Sequence, residues 1–229
     1  MNALLITGTD TEIGKTVLTT ALAAYWHTYC PSQSLGIMKP IQAGTGDREL
    51  YSQLFSLDQS EINPLYLQAP LAPPLAAEQE GITIDLALVW QRFEALCRQR
   101  DWVLVEALGG LGSPITHELT VADLARDWKL PTVLVVPVKL GAIAQAVANV
   151  ALARQSGVNL KGIVLNCFRP CSGKDVENWA AINLIESLTH VPVLGRIPHL
   201  ADTTNLSKLA QVASDLDLET LMPRLQICG

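Results

Sequence analysis

Nowhere in the 229 residues does an apolar run approach the roughly 18 residues that a membrane-spanning helix requires. Met1–Thr7 is apolar but short. It lacks a basic flank and a small-residue cleavage site, so it predicts no signal peptide, and the expectation is a cytoplasmic protein with no membrane partner. Positive charge is scarce too: 16 Lys and Arg stand against 22 Asp and Glu, a net charge of −6. A negative field of that size repels phosphate backbones and anionic lipids, which argues against generic nucleic-acid or membrane-surface binding. The five cysteines (Cys30, Cys97, Cys167, Cys171, Cys228) are odd in number and show no CxxC spacing, which predicts buried or free cytosolic thiols. The four histidines (His27, His117, His190, His199) offer no HxxxH pair, and no zinc site is expected.

What is present is a chain 49 % hydrophobic and 17 % charged, long enough to bury a core without staples and read as one domain over residues 1–229. Short continuous apolar runs recur at Ala3–Thr7, Leu35–Lys39, Trp102–Glu106, Thr132–Val138, Gly162–Asn166 and Val193–Ile197. A strand buried on both faces reads this way. Between the runs, Lys15–Tyr29, Asp85–Arg100, Val121–Trp128, Ile143–Ser156 and Val176–Thr189 have helical period, and Ser207–Asp217 has it more weakly. The rhythm predicts an α/β fold, a mostly parallel sheet with helices on both faces. Gln42–Gly81, with Pro64, Pro70, Pro73 and Pro74, breaks the rhythm and reads as a loop-rich excursion.

The first strand runs into Gly8-Thr9-Asp10-Thr11-Glu12-Ile13-Gly14-Lys15-Thr16 and then a helix. Gly-Lys-Thr at such a junction turns backbone N–H groups and a helix N-terminus toward phosphate. Lys15 then reaches the β and γ phosphates and the Thr16 hydroxyl holds magnesium. The usual pattern has glycine six residues before the lysine; here that residue is Thr9, with Gly8 one place earlier. The fold expected is therefore that of a P-loop nucleotide-binding protein.

In open α/β sheets ligands sit beyond the carboxyl ends of the strands. Those ends carry Lys39, Glu106, Lys139, Asn166 and Pro198, so three of the seven lysines share one edge with a carboxylate. Cations gathered where phosphate should lie suit phosphoryl transfer. Glu106, after Val103-Leu104-Val105, stands where a carboxylate directs magnesium, with a structural ion pair as the alternative. Asp47 reads as a magnesium ligand or, nearly as well, as a helix N-cap before Arg48–Phe55. Asn166 suits a turn or the edge of a purine, and Lys139 suits solvation or substrate attraction.

The phosphate loop closely resembles that of the dethiobiotin synthetase family. The resemblance continues in order through Met38-Lys39-Pro40-Ile41-Gln42-Ala43-Gly44, Trp102–Glu106, Val138-Lys139-Leu140-Gly141, Val164-Leu165-Asn166 and Gly195-Arg196-Ile197-Pro198. It implies an ATP-dependent cyclo-ligase that carboxylates 7,8-diaminononanoate with CO2 and closes a cyclic urea through a carbamate phosphorylated by ATP. By resemblance, Glu12, Ile13, Gly14, Lys15, Thr16 and Val17 cradle the nucleotide, together with Asp47, Glu106 and Ala107-Leu108-Gly109. Asn166, Cys167, Pro198, His199 and Leu200 surround the base. Thr16, Asp47 and Glu106 serve Mg2+, Lys39 and Lys15 are catalytic, and the active site lies at the interface of a homodimer. Three departures stand out. Ala107-Leu108 replaces the usual Gly-Ala, Ala43 replaces a hydroxyl residue, and Ala144-Gln145 replaces Asn-His. If the loop after Glu106 needed φ > 0, Ala107 would cost roughly 1 kcal/mol. Amide-forming synthetases of the cobyrinate type carry a glutaminase domain for which this chain has no room. Partitioning ATPases carry a second lysine where this chain has Thr9.

Overall fold

The computed structural model describes residues 2–223. The first half of the chain holds β1 (Ala3–Gly8), α1 (Lys15–Tyr29), β2 (Leu35–Met38), β3 (Ile41–Ala43), α2 (Asp47–Phe55), α3 (Gln59–Ile62), β4 (Leu65–Leu67), α4 (Pro73–Glu80) and α5 (Leu86–Gln99). There follow β5 (Trp102–Gly110), α6 (Val121–Asp127), β6 (Thr132–Pro137), α7 (Ala142–Ser156) and β7 (Leu160–Asn166). The chain ends through α8 (Gly173–Trp179), α9 (Ile182–Thr189), β8 (Val193–Ile197), α10 (Leu206–Ser214) and α11 (Leu218–Leu221).

Six strands form one parallel sheet in the order β2-β5-β1-β6-β7-β8. Every residue of β1 is buried, and its side chains alternate between two cores. Leu4 and Ile6 pack with Leu18 and Leu22 of α1 and Leu209 of α10. Ala3 and Leu5 pack on the other side with Val89 and Phe93 of α5. A third cluster joins Leu134, Val136, Ile163 and Leu165 to α7 and to Ile185 of α9. Apolar side chains on both faces are why the strands read as unbroken runs rather than alternating ones. The α/β architecture expected from the rhythm is the one found.

Three local expectations need correction. The excursion after Gln42 is ordered. It holds α2, where a helix over Arg48–Phe55 was expected, and beyond it α3, α4 and a two-stranded parallel sheet of β3 with β4. Pro73 and Pro74 open α4 at its first positions, where a missing N–H leaves no helical bond unmade. The helix read over Val176–Thr189 is broken at Ala180, which leaves helical geometry at φ −142°. Val176 and Ile185 are both buried, yet nine residues apart in one continuous helix they would point to opposite faces. Two of the thiols are also joined: Cys167 and Cys171 form a disulfide, with Cα atoms 6.2 Å apart. Cys30 is buried and Cys97 half-buried, and Cys228 lies outside the described residues.

Candidate active site

The loop after β1 is shaped around Lys15. This residue is buried, and its Nζ donates to the Asp10 carbonyl at 2.7 Å, so the loop folds over its own cation. Burial lowers the Lys15 pKa, and Lys39 nearby adds to this; the Glu106 and Asp47 carboxylates oppose it without reversing it. Two residues take left-handed backbone, Glu12 at φ 54° and Gly14 at φ 103°. Gly14 begins α1 with no side-chain cap. A Cβ there would lie 1.9 Å from Asn166 Nδ2. Asn166, at the end of β7, instead donates to the Ile13 carbonyl at 2.8 Å and ties that strand end to the phosphate loop. The N-terminal N–H groups of α1 are thus left for an anion.

Beneath the loop, four functional groups meet. Glu106 on β5 is fully buried. Its Oε1 lies 3.0 Å from Lys39 Nζ and 3.1 Å from Thr16 Oγ1. Asp47, in the first turn of α2, has Oδ1 3.0 Å from the same Thr16 hydroxyl, and its Oδ2 accepts from Lys39 Nζ. Lys39 therefore bridges both carboxylates. Burial alone would lower its pKa, but Glu106 and Asp47 outweigh that and raise it, so the ammonium is held charged. For Asp47 burial pushes upward, and Lys39 with the Thr16 hydrogen bond pulls the net shift down. The other Glu106 oxygen, Oε2, accepts from Thr19 Oγ1 at 2.9 Å and from the Tyr51 hydroxyl.

The donor set suits magnesium. Two carboxylates and a hydroxyl are hard oxygen ligands, and no Cys or His competes among them. Among the described residues no group of three or more His, Cys, Asp or Glu could hold a metal by itself. The protein offers a partial shell, which fits a cation that keeps several waters and takes phosphate oxygens.

Buried polar side chains fix the backbone that carries these groups. Asn63 Nδ2 donates to the carbonyls of Lys39 at 2.7 Å and Leu65 at 3.0 Å. Gln42 accepts from the Arg48 N–H at 3.0 Å and donates to the Gly44 carbonyl at 3.0 Å, which sets the turn that delivers Asp47. Glu49 closes the same turn by accepting from the Gly46 N–H at 2.9 Å. Burial pushes the Glu49 pKa up, but Arg48 and the Gly46 N–H draw it down to about 2.

A cleft of about 250 Å³ opens beside the loop and is lined by Glu12, Gly14, Thr16, Val17, Asn166, Cys167, Pro198, His199 and Leu200. The residues expected around base and phosphates are brought together there, and Phe168 and Thr203 join them. Ile13 contributes its carbonyl, while its side chain packs in the core. Ala107 and Leu108 face a different neighbourhood, an apolar recess with Leu5, Ile41, Ile115 and Leu124. Ala107 lies in β5, and it is not among the non-glycine residues with φ > 0, so the strain considered for it is not there. Gly109 and Gly110 complete the strand, and a Cβ on Gly110 would come within 2.9 Å of the Gly8 carbonyl, so β1 and the phosphate loop need glycine there.

On the opposite side of the loop, an open depression of about 450 Å³ is lined by Thr9, Asp10, Gly112, Ser113, Asn149 and others. Gln145, one of the departures from the family pattern, reaches its edge with Oε1 3.4 Å from Thr9 Oγ1. Lys139 sits in the β6–α7 turn. Ala43 packs against the core beside β4. Sequence reasoning missed Thr19, Tyr51, Gln42 and Asn63. Thr19 and Gln42 offered one signal, polarity inside an apolar run, while Tyr51 and Asn63 offered none.

A family model described as an AAA domain matches residues 2–207. The chain is 62 % identical over 225 residues to the ATP-dependent dethiobiotin synthetase of Gloeothece citriformis, covering 97 % of this chain and 100 % of the relative. It is 59 % identical to that of Crocosphaera subtropica, covering 96 % and 100 %. Among solved structures it resembles the MinC:MinD cell division complex of Aquifex aeolicus, at a TM-score of 0.61 and 16 % identity over 100 % of this chain and 98 % of that one. A ParA family ATPase from Chlorobium tepidum aligns at a TM-score of 0.56 and 14 % identity, covering 98 % and 93 %. At that identity the likeness speaks for the fold alone.

Proposed function

Because this chain belongs to the ATP-dependent dethiobiotin synthetase family, we propose that its phosphate loop and the acidic pocket beneath it join CO2 to 7,8-diaminononanoate at the expense of ATP. The observation that carries this reading is the meeting of Thr16, Lys39, Asp47 and Glu106 under a loop that already encloses Lys15.

The chemistry needs charge neutralisation more than a nucleophile. One substrate amine adds to the carbon of CO2 and loses a proton, giving a carbamate. A carbamate oxygen then attacks the γ phosphorus, and the bond to ADP breaks. The second amine attacks the carbamoyl carbon, the five-membered urea closes, and phosphate leaves as the C–O bond breaks, taking up the proton that the amine loses. A carbamate and a triphosphate are both anions, so their approach requires compensating cations. Lys15 faces the phosphates and Lys39 faces the carbamate oxygens at the strand edge. Thr16, Asp47 and Glu106 would hold Mg2+, which supplies further charge neutralisation at the phosphate oxygens. Asn166 holds the loop for the base side, and the Pro198–Leu200 segment walls the base cleft. The depression along Thr9, Gly112 and Asn149 is the space we assign to the diamine.

A homodimer with the active site at its interface fits the exposed apolar side chains of Leu140, Ile182, Leu184 and Leu188 around α7 and α9. No helix among the described residues is long and apolar enough to cross a membrane, and we place the enzyme in the cytoplasm. Incubation with MgATP, bicarbonate and 7,8-diaminononanoate, followed by mass spectrometry, tests the reaction. Dethiobiotin should form, and omission of either the diamine or bicarbonate should abolish ADP release. ADP release without either, and no dethiobiotin with both, would refute it.

A further inference from the structure

Tyr51 is the one fully buried residue of α2, and its hydroxyl is placed where a phenylalanine would have filled the same apolar space without a polar group. That hydroxyl donates to Glu106 Oε2, the oxygen turned away from Lys39 and Thr16. Thr19 Oγ1 donates to the same oxygen at 2.9 Å from α1. The two oxygens of Glu106 are thus divided: Oε2 is clamped from behind by two hydroxyls, and Oε1 is left to face the cation pocket. Asp47 and Tyr51 are four residues apart on α2 and so share one face of that helix. One short helix therefore carries both the second carboxylate and the clamp on the first.

We propose that Tyr51 is a positioning residue for the metal pocket, which holds Glu106 Oε1 toward Thr16 and fixes its spacing from Asp47. The proposal rests on the reading of Thr16, Asp47 and Glu106 as the magnesium-directed set. A carboxylate with both oxygens free to rotate spreads its lone pairs over many directions. A carboxylate hydrogen-bonded through one oxygen presents the other in a single orientation. Removing such an outer partner typically costs 10- to 100-fold in metal affinity or activity. The Thr19 hydroxyl also lies 3.0 Å from the Lys15 carbonyl, so its single proton is shared between that acceptor and Glu106 Oε2, and Tyr51 is the donor committed to Glu106 alone.

The test is ADP binding by calorimetry, with Mg2+ and with EDTA, on the wild-type protein and on Tyr51→Phe. The ratio of the two dissociation constants measures how much the metal tightens nucleotide binding. In the wild type Mg2+ should tighten it; if it does not, the magnesium reading itself fails, separately from the role of Tyr51. In Tyr51→Phe the metal-dependent gain should fall roughly tenfold or more, with the dissociation constant in EDTA unchanged. A gain equal to wild type, or an equal loss of affinity with and without Mg2+, would overturn the proposal. Should Tyr51→Phe fail to fold, Thr19→Val decides. It should lose the same metal-dependent gain, and an undiminished gain would overturn the clamp.

Discussion

Replacing Lys39 by methionine removes one ammonium and keeps most of the side-chain volume. In the folded protein that ammonium bridges Glu106 and Asp47, and both partners are withdrawn from water to different degrees: the Glu106 side chain is 0 % exposed and that of Asp47 28 %. Without it, the two carboxylates face each other across the Thr16 hydroxyl, at 3.1 and 3.0 Å. Removing one partner of a buried ion pair costs about 3–5 kcal/mol, because it strands the other charge. The access of Asp47 to solvent allows part of the charge to be rehydrated, which favours the lower end. For a chain of this size, 3 kcal/mol lowers Tm by about 6–12 °C. Melting in EDTA should show that loss. Millimolar Mg2+ should then stabilise Lys39→Met more than it stabilises the wild type, because the cation replaces the missing positive charge and no ammonium competes with it. Turnover should fall by about 10²–10³, the usual cost of one lost electrostatic donor in the transition state. A variant that melts with the wild type in EDTA, responds identically to Mg2+ and turns over normally would refute the assignment of Lys39 to the centre of this site.

Three further outcomes follow from the geometry. Gly14→Ala must adopt φ 103° with a side chain, about 1–2 kcal/mol of strain, and must also displace Asn166. ADP affinity measured by calorimetry should drop at least tenfold, and wild-type affinity would show that the loop re-forms without the Asn166 tie. Glu49 has its folded pKa drawn down to about 2 from the ordinary 4.5, so its contribution is full above pH 4.5 and is lost as pH falls toward 2. Glu49→Gln should flatten the acid side of the stability–pH curve over that window, and an unchanged slope would remove Glu49 from the turn that delivers Asp47. Reducing the Cys167–Cys171 bridge, which opens a loop too short to stabilise the fold by more than about 2 kcal/mol, should loosen Phe168 at the base cleft. KM for ATP should rise while kcat stays; identical kinetics with and without reductant would separate the bridge from the cleft.

The central sheet and its polar strand ends were legible because a parallel strand covered on both faces is a continuous apolar run. The first charged or amide residue in such a run stands out, as Lys39, Glu106 and Asn166 do, although β5 continues past Glu106 to Gly110. Asp47 was different. A helix N-terminus accounts for an aspartate nearly as well, and only the tertiary placement of α2, with Tyr51 buried in the core that α1 shares, aims it at Thr16 and Lys39. Tyr51 carried no signal, since tyrosine is common in cores and its role depends on which carboxylate its hydroxyl meets. The excursion after Gln42 was misjudged because β3 and β4 are three residues each, too short for periodicity to register. The disulfide depends on the bend at Phe168-Arg169 that brings Cys171 back to Cys167, which four-residue spacing does not reveal.

In the proposed mechanism the site aligns a carbamate with ATP and leaves bond-making to the substrate. The most direct test follows oxygen from CO2 into phosphate. With 18O-labelled bicarbonate, the diamine and MgATP, the carbamate oxygen that attacks the γ phosphorus departs with it. The released phosphate should carry one labelled oxygen for each dethiobiotin formed. Phosphate without label, released in step with dethiobiotin, would contradict the phosphorylated carbamate and with it the role given to Lys39.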